Sequence, residues 1–368
     1  MSNPKTHAIL YCEGAFLTTN GKTAHGLIRR SDRFQIISVI DSTKAGGDAG
    51  VLLDGKDKEI PVHASLAEAL TYARTQRIRP LVFIMGLAPD GGRLPIQARN
   101  DIKDAIHHGL DIISGLHDFL SEDEEFSRIA QEQGVIIYDI RKTPPRNLLH
   151  FFSGKIEEVS SFVIALLGTD SAVGKRTTAW MLYDALKKHG FSVEFIGTGQ
   201  TSWLQGARYC IMMDSLINDF VAGEIEHAVW TAWQNSRPDV ILIEGQGSLL
   251  NPAYPGGFEI CAAGRPDVIL LQHAPGRIEY DGFPGYKIHD INKQMAALEL
   301  ISDKPVVALT INHEHLKDLD ISQICTNLEE NTGLPCVDVL IDGADRIVGE
   351  LRPRIEQKKT TVSEKHET

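Results

Sequence analysis

Residues 164–178 read IALLGTDSAVGKRTT, and this stretch decides the fold of the second half of the chain. An apolar run leads into a turn bounded by Gly168 and Gly174. A lysine and two threonines follow, and then apolar residues recur at helical spacing. Glycines let a backbone approach an anion closely, and the N-terminus of a helix adds partial positive charge. The stretch therefore predicts a strand, a phosphate-binding loop and a helix that ends near His189.

The loop departs from the usual nucleotide-binding pattern, in which four residues separate the glycines and a serine or threonine follows the lysine. Here five residues separate Gly168 from Gly174, and Arg176 stands where the magnesium-binding hydroxyl is expected. The loop is thus a strong indication of a phosphate-bearing ligand and a weaker indication of magnesium-dependent nucleotide hydrolysis. Thr177 could still act as a substitute magnesium ligand. The residues expected to hold the ligand are Gly168, Thr169, Ser171, Ala172, Val173, Gly174, Lys175, Arg176, Thr177 and Thr178.

Composition limits the function classes. The chain has 368 residues, and its 42% hydrophobic and 23% charged content is that of a globular protein long enough for two domains. A net charge of -12 argues against a nucleic-acid partner, because such proteins need basic surface to neutralise phosphates. The five cysteines are scattered without CxxC spacing, which favours reduced thiols and a cytoplasmic location. We expect neither a signal peptide nor a membrane span, since no apolar run approaches about 18 residues.

The pattern of apolar runs predicts an α/β fold with two mostly parallel sheets. Strands and amphipathic helices alternate over residues 1–150, including a helix at 65–76 with a serine N-cap, and we expect a Rossmann-like N-terminal domain there. We place the P-loop domain at residues 151–355. The charged residues 356–368 carry few apolar anchors, so we expect a flexible tail.

A second strand that ends in Asp41 is typical of dinucleotide-binding domains. Gly14, Gly21 and Gly26 lack the GxGxxG spacing that should accompany such an acid. The first domain could therefore bind a cofactor, or it could be a scaffold that shapes one wall of a site.

Polar and glycine residues gather where each strand of the second domain is expected to end. The carboxyl ends of parallel strands meet at one edge of a sheet, so we expect one site there. Its segments are the phosphate loop and residues 197–201, 244–248, 273–277 and 310–315.

Three acids are candidate general bases for this site. Glu244 ends an apolar strand before a glycine, although it could instead anchor the loop through backbone N–H groups. Asp170 lies inside the phosphate loop, where it could contact the substrate or bind loop amides. Asp214 follows an apolar run and could instead cap a helix.

Basic side chains are candidates for holding substrate carboxylates. We single out Arg265, Arg277, Lys287 and Arg146. Arg146 follows two prolines, so it could also belong to a stiff linker. His313 and His315 could share a metal, but a third ligand is not evident and we expect no metal site.

Several motifs resemble known families. GTDSAVGK, residues 168–175, and IEGQGS, residues 243–248, resemble the phosphate loop and strand tip of dethiobiotin synthetases. Nearly the whole chain resembles the two-domain D-glutamate N-acetyltransferase family. This resemblance is carried by GTDSAVGKRTT, by DFVAGEIE at 219–226, and by IEGQG with the following PGG at 255–257.

The resemblance implies a transferase that moves an acetyl group from acetyl-CoA to the amine of D-glutamate. The expected partner is therefore a small acidic amino acid as substrate, and the expected assembly is a homo-oligomer. It also implies that the loop holds the phosphates of CoA, and Arg176 fits this because it adds positive charge. The alternative is an ATP- and magnesium-dependent ligase or kinase. A non-catalytic metallochaperone is a third hypothesis, which the lack of a histidine- or cysteine-rich tract disfavours.

Overall fold

The computed structural model of the chain describes residues 5–316 and 320–367, with the backbone alone at 90, 363 and 365–367. The start of the polar N-terminus and the last residue of the expected tail lie outside this range. The chain forms two compact units. One consists of Met1–Pro144 and Gly199–Ala207, and the other of Pro145–Thr198 and Arg208–Thr368.

The first unit contains a six-stranded parallel sheet with the order β3-β2-β1-β4-β5-β6, the order of a doubly wound dinucleotide fold. Its strands are β1 Thr6–Tyr11, β2 Phe34–Ile40, β3 Val62–His63, β4 Val82–Met85, β5 Asp111–Ser114 and β6 Ile137–Asp139. Its first five helices are α1 Lys22–Arg29, α2 Ala49–Asp54, α3 Leu66–Thr75, α4 Ala98–His107 and α5 Glu124–Gln133.

The acid that follows β2 uses both of its carboxylate oxygens to hold turns of its own unit. Asp41 is fully buried. One of its oxygens accepts the backbone N–H of Phe16 at 2.9 Å, and the other accepts the backbone N–H and hydroxyl of Thr43 at 2.9 and 2.6 Å. Asp41 thus fixes the turns at Phe16 and Thr43.

The second unit contains a seven-stranded parallel sheet with the order β13-β12-β11-β7-β10-β8-β9. Its strands are β7 Phe162–Gly168, β8 Val193–Gly197, β9 Tyr209–Cys210, β10 Val240–Glu244, β11 Val268–His273, β12 Val306–Ile311 and β13 Cys336–Val337. The helices of this half of the sequence are α6 Lys175–Lys188, α7 Gln200–Gln205, α8 Asn218–Ser236, α9 Phe258–Gly264, α10 Ile291–Ser302, α11 Ile321–Thr332, α12 Val339–Asp342 and α13 Asp345–Glu367.

The phosphate loop follows the central strand of this sheet. Every residue of β7 is buried, as expected for a strand covered on both faces. β7 lies between β10 and β11, so the segments after those two strands flank the loop on either side. The α/β class with two parallel sheets, predicted from the apolar runs, is confirmed.

One helix of the second half of the sequence packs with the first unit. Leu204 of α7 is fully buried, the Gln205 amide donates to the carbonyl of Gly26 at 2.8 Å, and Arg33 donates to the carbonyl of Trp203 at 2.9 Å. The structure therefore divides the chain at Pro144 and assigns residues 199–207 to the first unit, whereas we expected an uninterrupted boundary at residue 150.

The expected tail is helical instead. Helix α13 runs from Asp345 to Glu367, and Ile355 is fully buried. Lys358 and Lys359 pair with Asp267 at 2.6 Å and Asp239 at 2.5 Å, the acids just before β11 and β10. These lysines look like solvated charges in the sequence because their partners lie far away along the chain. Within residues 5–316 and 320–367, none of the helices has the length and apolarity needed to cross a membrane.

Candidate functional site

The phosphate loop bends sharply between β7 and α6. Ala172 has φ 51° and Gly174 has φ 103°, so two left-handed residues lie directly before the helix. The first N–H groups of a helix have no carbonyl partner within the helix. The N-terminus of α6 therefore offers N–H groups and partial positive charge to an anion, as the sequence predicts.

Lys175 joins the phosphate loop to the tip of β10. Its ammonium group donates to the carbonyls of Asp170 at 2.6 Å and Gly247 at 3.0 Å, and the residue is buried. Gly245 allows the tip of β10 to lie close to β7, since a Cβ atom at this position would lie 2.3 Å from the carbonyl oxygen of Leu166. The lysine therefore lies between the two glycine-containing segments that the sequence analysis assigned to the site.

Asp170 is a structural anchor of the loop, which argues against a role as general base. It is fully buried. One carboxylate oxygen accepts the N–H of Ser171 at 2.7 Å and the Asn251 amide at 2.8 Å. The other accepts Arg277 at 2.8 Å and the N–H of Asp281 at 2.9 Å. Each carboxylate oxygen thus already accepts two hydrogen bonds, so neither has an acceptor site left for a substrate N–H.

Arg277 binds the loop itself, although we expected it to hold a substrate. Its guanidinium donates to the carbonyls of Ser171 at 2.7 Å and Ala172 at 3.3 Å, and it pairs with Asp170 and Glu314. Burial alone would lower the pKa of Arg277, but the bonds to Glu314 and Asp170 outweigh it and raise the pKa. The side chain is therefore charged and committed to the loop.

Thr178 also differs from expectation. Its hydroxyl donates to the side-chain carbonyl of Gln272 at 2.6 Å, and Thr310 donates to the same oxygen at 2.6 Å. Val173 is fully buried and packs in the core. Neither side chain is directed at a ligand, and the contribution of Val173 is limited to its backbone.

Glu244 lies at the carboxyl edge, buried between two loops. Its carboxylate accepts the backbone N–H of Thr198 at 3.0 Å, and its carbonyl accepts the hydroxyl of the same residue at 3.0 Å. The Gln246 amide donates to the carbonyl of Thr198 at 2.9 Å. The anchoring contact that one interpretation expects is thus present, and Glu244 also lies at the strand tip beside the phosphate loop, as the general-base interpretation requires.

His273 is the residue that sequence reasoning did not single out. It ends β11 directly beside the loop, and its Nδ1 shares a hydrogen bond of 2.9 Å with the hydroxyl of Thr169. Burial lowers the pKa of His273 to about 4, so the imidazole is neutral at neutral pH. The available signal was its place at the end of the strand that neighbours β7.

The remaining predicted residues lie apart from the loop or on the surface. Asp214 is exposed in a 3-10 turn at Met213–Ser215. Arg265 precedes β11, at the amino edge of the sheet, and pairs with Glu157 at 3.4 Å. This position opposes its predicted role, because the loop is at the carboxyl edge. Lys287 and Arg146 are exposed, in the segment after β11 and in a 3-10 turn respectively.

A cleft of ≈ 420 Å³ opens beside the phosphate loop. Two of its lining residues, Arg277 and Asp281, both donate to Asp170. His315 also lines the cleft and has φ 62°. Among the described residues, no cluster of three or more His, Cys, Asp or Glu side chains could hold a metal.

The segment 219–226 lies in α8 and packs against residues 150–156 at the start of the second unit. Glu226 is buried and accepts the N–H and hydroxyl of Ser153 at 2.6 and 2.9 Å. A Cβ atom on Gly223 would lie 2.0 Å from the carbonyl oxygen of His150. The His150 ring stacks on His227 with centroids 3.5 Å apart. This motif therefore has a structural role that is separate from the phosphate loop.

Comparisons with known proteins follow the same two-part division. A family model described as the DUF1611 C-terminal P-loop domain, a domain of unknown function, matches residues 150–348, and a DUF1611 N-terminal Rossmann-like model matches residues 42–143. A solved DUF1611 family protein from Anabaena variabilis superposes with a TM-score of 0.86 at 29% identity, covering 95% of this chain and 100% of that one.

Two curated relatives have a named activity. A D-glutamate N-acetyltransferase from a Pseudoalteromonas species is 32% identical over 280 residues, covering 73% of this chain and 80% of that protein. A second D-glutamate N-acetyltransferase, from Tritonibacter scottomollicae, is 29% identical over 274 residues with the same coverage.

Proposed function

The chain belongs to the DUF1611 family of P-loop proteins, and on that premise we propose that it is an enzyme that transfers an acetyl group to the amine of D-glutamate. The observation that carries the proposal is the 32% identity over 280 residues to a D-glutamate N-acetyltransferase. The match extends over most of both chains, so it concerns the whole enzyme and not one shared domain.

Acetyl-CoA is the proposed acetyl donor, with its phosphates against residues 168–177. The bend at Ala172 and Gly174 and the N-terminus of α6 support an anion there. Lys175 has the length to reach a phosphate oxygen if it leaves its two carbonyl partners. Arg176 stands where the magnesium-binding hydroxyl is usually found, which disfavours magnesium-dependent nucleotide chemistry at this loop.

In the proposed reaction, the amine nitrogen of D-glutamate attacks the thioester carbonyl. A C–N bond forms, the C–S bond breaks, and CoA leaves as the thiolate. We place the general base at Glu244, which takes the amine proton and passes it to the leaving thiolate. N–H groups at the start of α6 and Lys175 stabilise the oxyanion. The neutral His273 lies beside the loop as a hydrogen-bond partner of Thr169, and burial makes it a weaker base than a free imidazole.

The direct test is incubation of the purified protein with acetyl-CoA and D-glutamate. We expect release of free thiol and formation of N-acetyl-D-glutamate, detected by mass spectrometry, with less product from L-glutamate. Absence of thiol release with every amino acid tried would overturn the proposal. Glu244→Gln should lower kcat far more than His273→Asn, and the reverse order would move the base to His273.

Calorimetry separates this function from the ATP-dependent alternative. We expect CoA to bind without magnesium and ATP to bind more weakly. Tight ATP binding that requires magnesium would support a ligase or kinase and contradict the acetyltransferase.

We further propose a cytoplasmic homo-oligomer. The family resemblance supports this, and so do the apolar side chains of Leu148 and Phe151, which are 61% and 65% exposed. Light scattering after size-exclusion chromatography gives the mass in solution. A monomer at micromolar concentration would contradict the proposed assembly.

A further inference from the structure

We infer that Arg277 is a positioning residue that holds the phosphate loop in its anion-binding conformation. This inference rests on the proposed function in one respect, namely that the anion is the phosphate part of CoA. Arg277 itself touches neither the acetyl group nor the amine in this scheme. It acts through the backbone of residues 170–172.

The contacts surround a guanidinium that is largely buried. The guanidinium of Arg277 bonds to the carboxylate of Asp170 and to the carbonyls of Ser171 and Ala172. Glu314, which follows β12, accepts from its Nε. The side chain of Arg277 is only 8% exposed and that of Asp170 is 0% exposed, so solvent screening of this ion pair is weak.

The peptide geometry shows why these carbonyl contacts matter. In a trans peptide the C=O of one residue and the N–H of the next point in opposite directions. When Arg277 binds the carbonyls of Ser171 and Ala172, it turns the N–H groups of Ala172 and Val173 to the opposite side of the loop. That side is where an anion would sit. Arginine thus sets the direction of the donors without contacting the ligand.

Lysine could not make the same set of contacts. The guanidinium carries five N–H donors in a rigid planar fork, and here it uses Nε, Nη1 and Nη2 on four different acceptors. An ammonium group is a point donor that could keep one carboxylate but not both carbonyls. Arg277→Lys therefore preserves the charge and removes the orientation.

The experiment compares the wild-type protein, Arg277→Lys, Glu314→Gln and a matched control, Arg346→Lys. Arg346 also binds one carboxylate, Glu329, and one backbone carbonyl, that of Cys336, without touching the phosphate loop. Calorimetry measures the affinity for CoA and, separately, for inorganic pyrophosphate. Steady-state kinetics measures KM for acetyl-CoA, KM for D-glutamate and kcat.

For Arg277→Lys we expect at least a tenfold loss of affinity for CoA and pyrophosphate. KM for acetyl-CoA should rise in parallel, while KM for D-glutamate and kcat change by less than threefold. Glu314→Gln should show a smaller effect in the same direction, because the fork is retained. Arg346→Lys should match the wild type. A general loss of folding would instead lower the apparent kcat, because fewer molecules are active, and leave both KM values unchanged.

The outcomes separate the two proposals. Unchanged CoA and pyrophosphate affinity in Arg277→Lys would overturn the positioning role while leaving the acetyltransferase intact. Wild-type protein that binds pyrophosphate but neither binds nor uses acetyl-CoA would overturn the proposed function, and pyrophosphate would still test Arg277. Wild-type protein that binds neither anion would overturn both.

Discussion

Lys175 is buried and bonded to two backbone carbonyls across the phosphate loop, so an arriving phosphate has to compete with Asp170 and Gly247 for it. Phosphate oxygens carry formal charge and carbonyls do not, which makes them the stronger acceptors for an ammonium group. The structure thus holds the lysine in place before any ligand arrives.

Replacing Lys175 by alanine should weaken CoA binding by roughly 10- to 100-fold, the range of a hydrogen bond to a charged group. Calorimetry with CoA measures this. Lys187→Ala, at the exposed end of the same helix, is the control and should bind CoA as the wild type does. Equal affinities in the two variants would mean that the phosphates lie elsewhere.

His273 makes stability depend on pH with a defined sign. Burial lowers its pKa in the folded state to about 4, below the unfolded value of 6.5, so between these values the unfolded chain binds the extra proton. Protonation therefore favours unfolding as the pH falls through this window, by at most about 1.4 kcal/mol per pH unit. His273→Asn should flatten this dependence, measured by urea unfolding at pH 4.5 to 7.5. A variant with the wild-type slope would contradict the assignment.

At the scale of elements, Gly223 shows what close packing requires. A Cβ atom there would lie 2.0 Å from the His150 carbonyl oxygen, so α8 and the 150–156 segment could no longer touch. The 150–156 segment also depends on Glu226, whose carboxylate accepts the backbone N–H groups of Ser153 and Ile156.

Gly223→Ala should therefore destabilise the protein by about 1–3 kcal/mol. This lowers Tm by roughly 2–4 °C per kcal/mol for a domain of this size. Gly349→Ala is the matched control, since nothing lies within 4 Å of its Cβ position in α13 and alanine favours helix. Differential scanning calorimetry compares them, and equal Tm values would show that the 150–156 segment adapts at little cost.

The elements themselves could be predicted because their signals are local. Ser65 caps α3 by accepting the N–H of Glu68, as expected, and α6 ends at Lys188 before the predicted stop. The family resemblance, carried by short motifs, is confirmed by the two relatives named D-glutamate N-acetyltransferase together with the matching family models.

The site residues were harder to predict because their partners are distant in sequence. Arg277 and Asp170 are 107 positions apart, and only the order of strands brings them together. A sequence shows that a basic residue exists near a strand end but not which acceptor it will meet. For this reason the sequence predicts a substrate contact for Arg277, which binds the loop. It also predicts that Arg265 lies at the carboxyl edge of the sheet, whereas Arg265 precedes β11 and lies at the amino edge.

At the scale of the whole molecule, the first unit needs residues from the second half of the sequence. Residues 199–207 contribute the fully buried Leu204, a hydrogen bond from the Asp32 N–H to Gln205 at 2.8 Å, and stacking of Trp203 on Tyr138 with centroids 5.1 Å apart. These contacts cover part of the first unit that would otherwise be open to water.

A fragment of residues 1–144 should therefore melt at a lower temperature than the same fragment carrying residues 199–207 on a flexible linker. Circular dichroism and dispersion of amide resonances measure the difference. The control replaces Leu204 in the linked fragment by serine, which should cancel the gain. If the fragment of residues 1–144 melts at the same temperature as the linked fragment, the first unit is complete without α7.

The division of the first unit along the chain also has a consequence for synthesis on the ribosome. After Pro144 is made, 63 more residues must be added before Ala207 completes that unit. At about 5–20 residues per second this takes roughly 3–13 seconds. During that interval the first unit lacks the contacts of Trp203, Leu204 and Gln205, so we expect chaperones to bind it mainly while residues 145–207 are being translated.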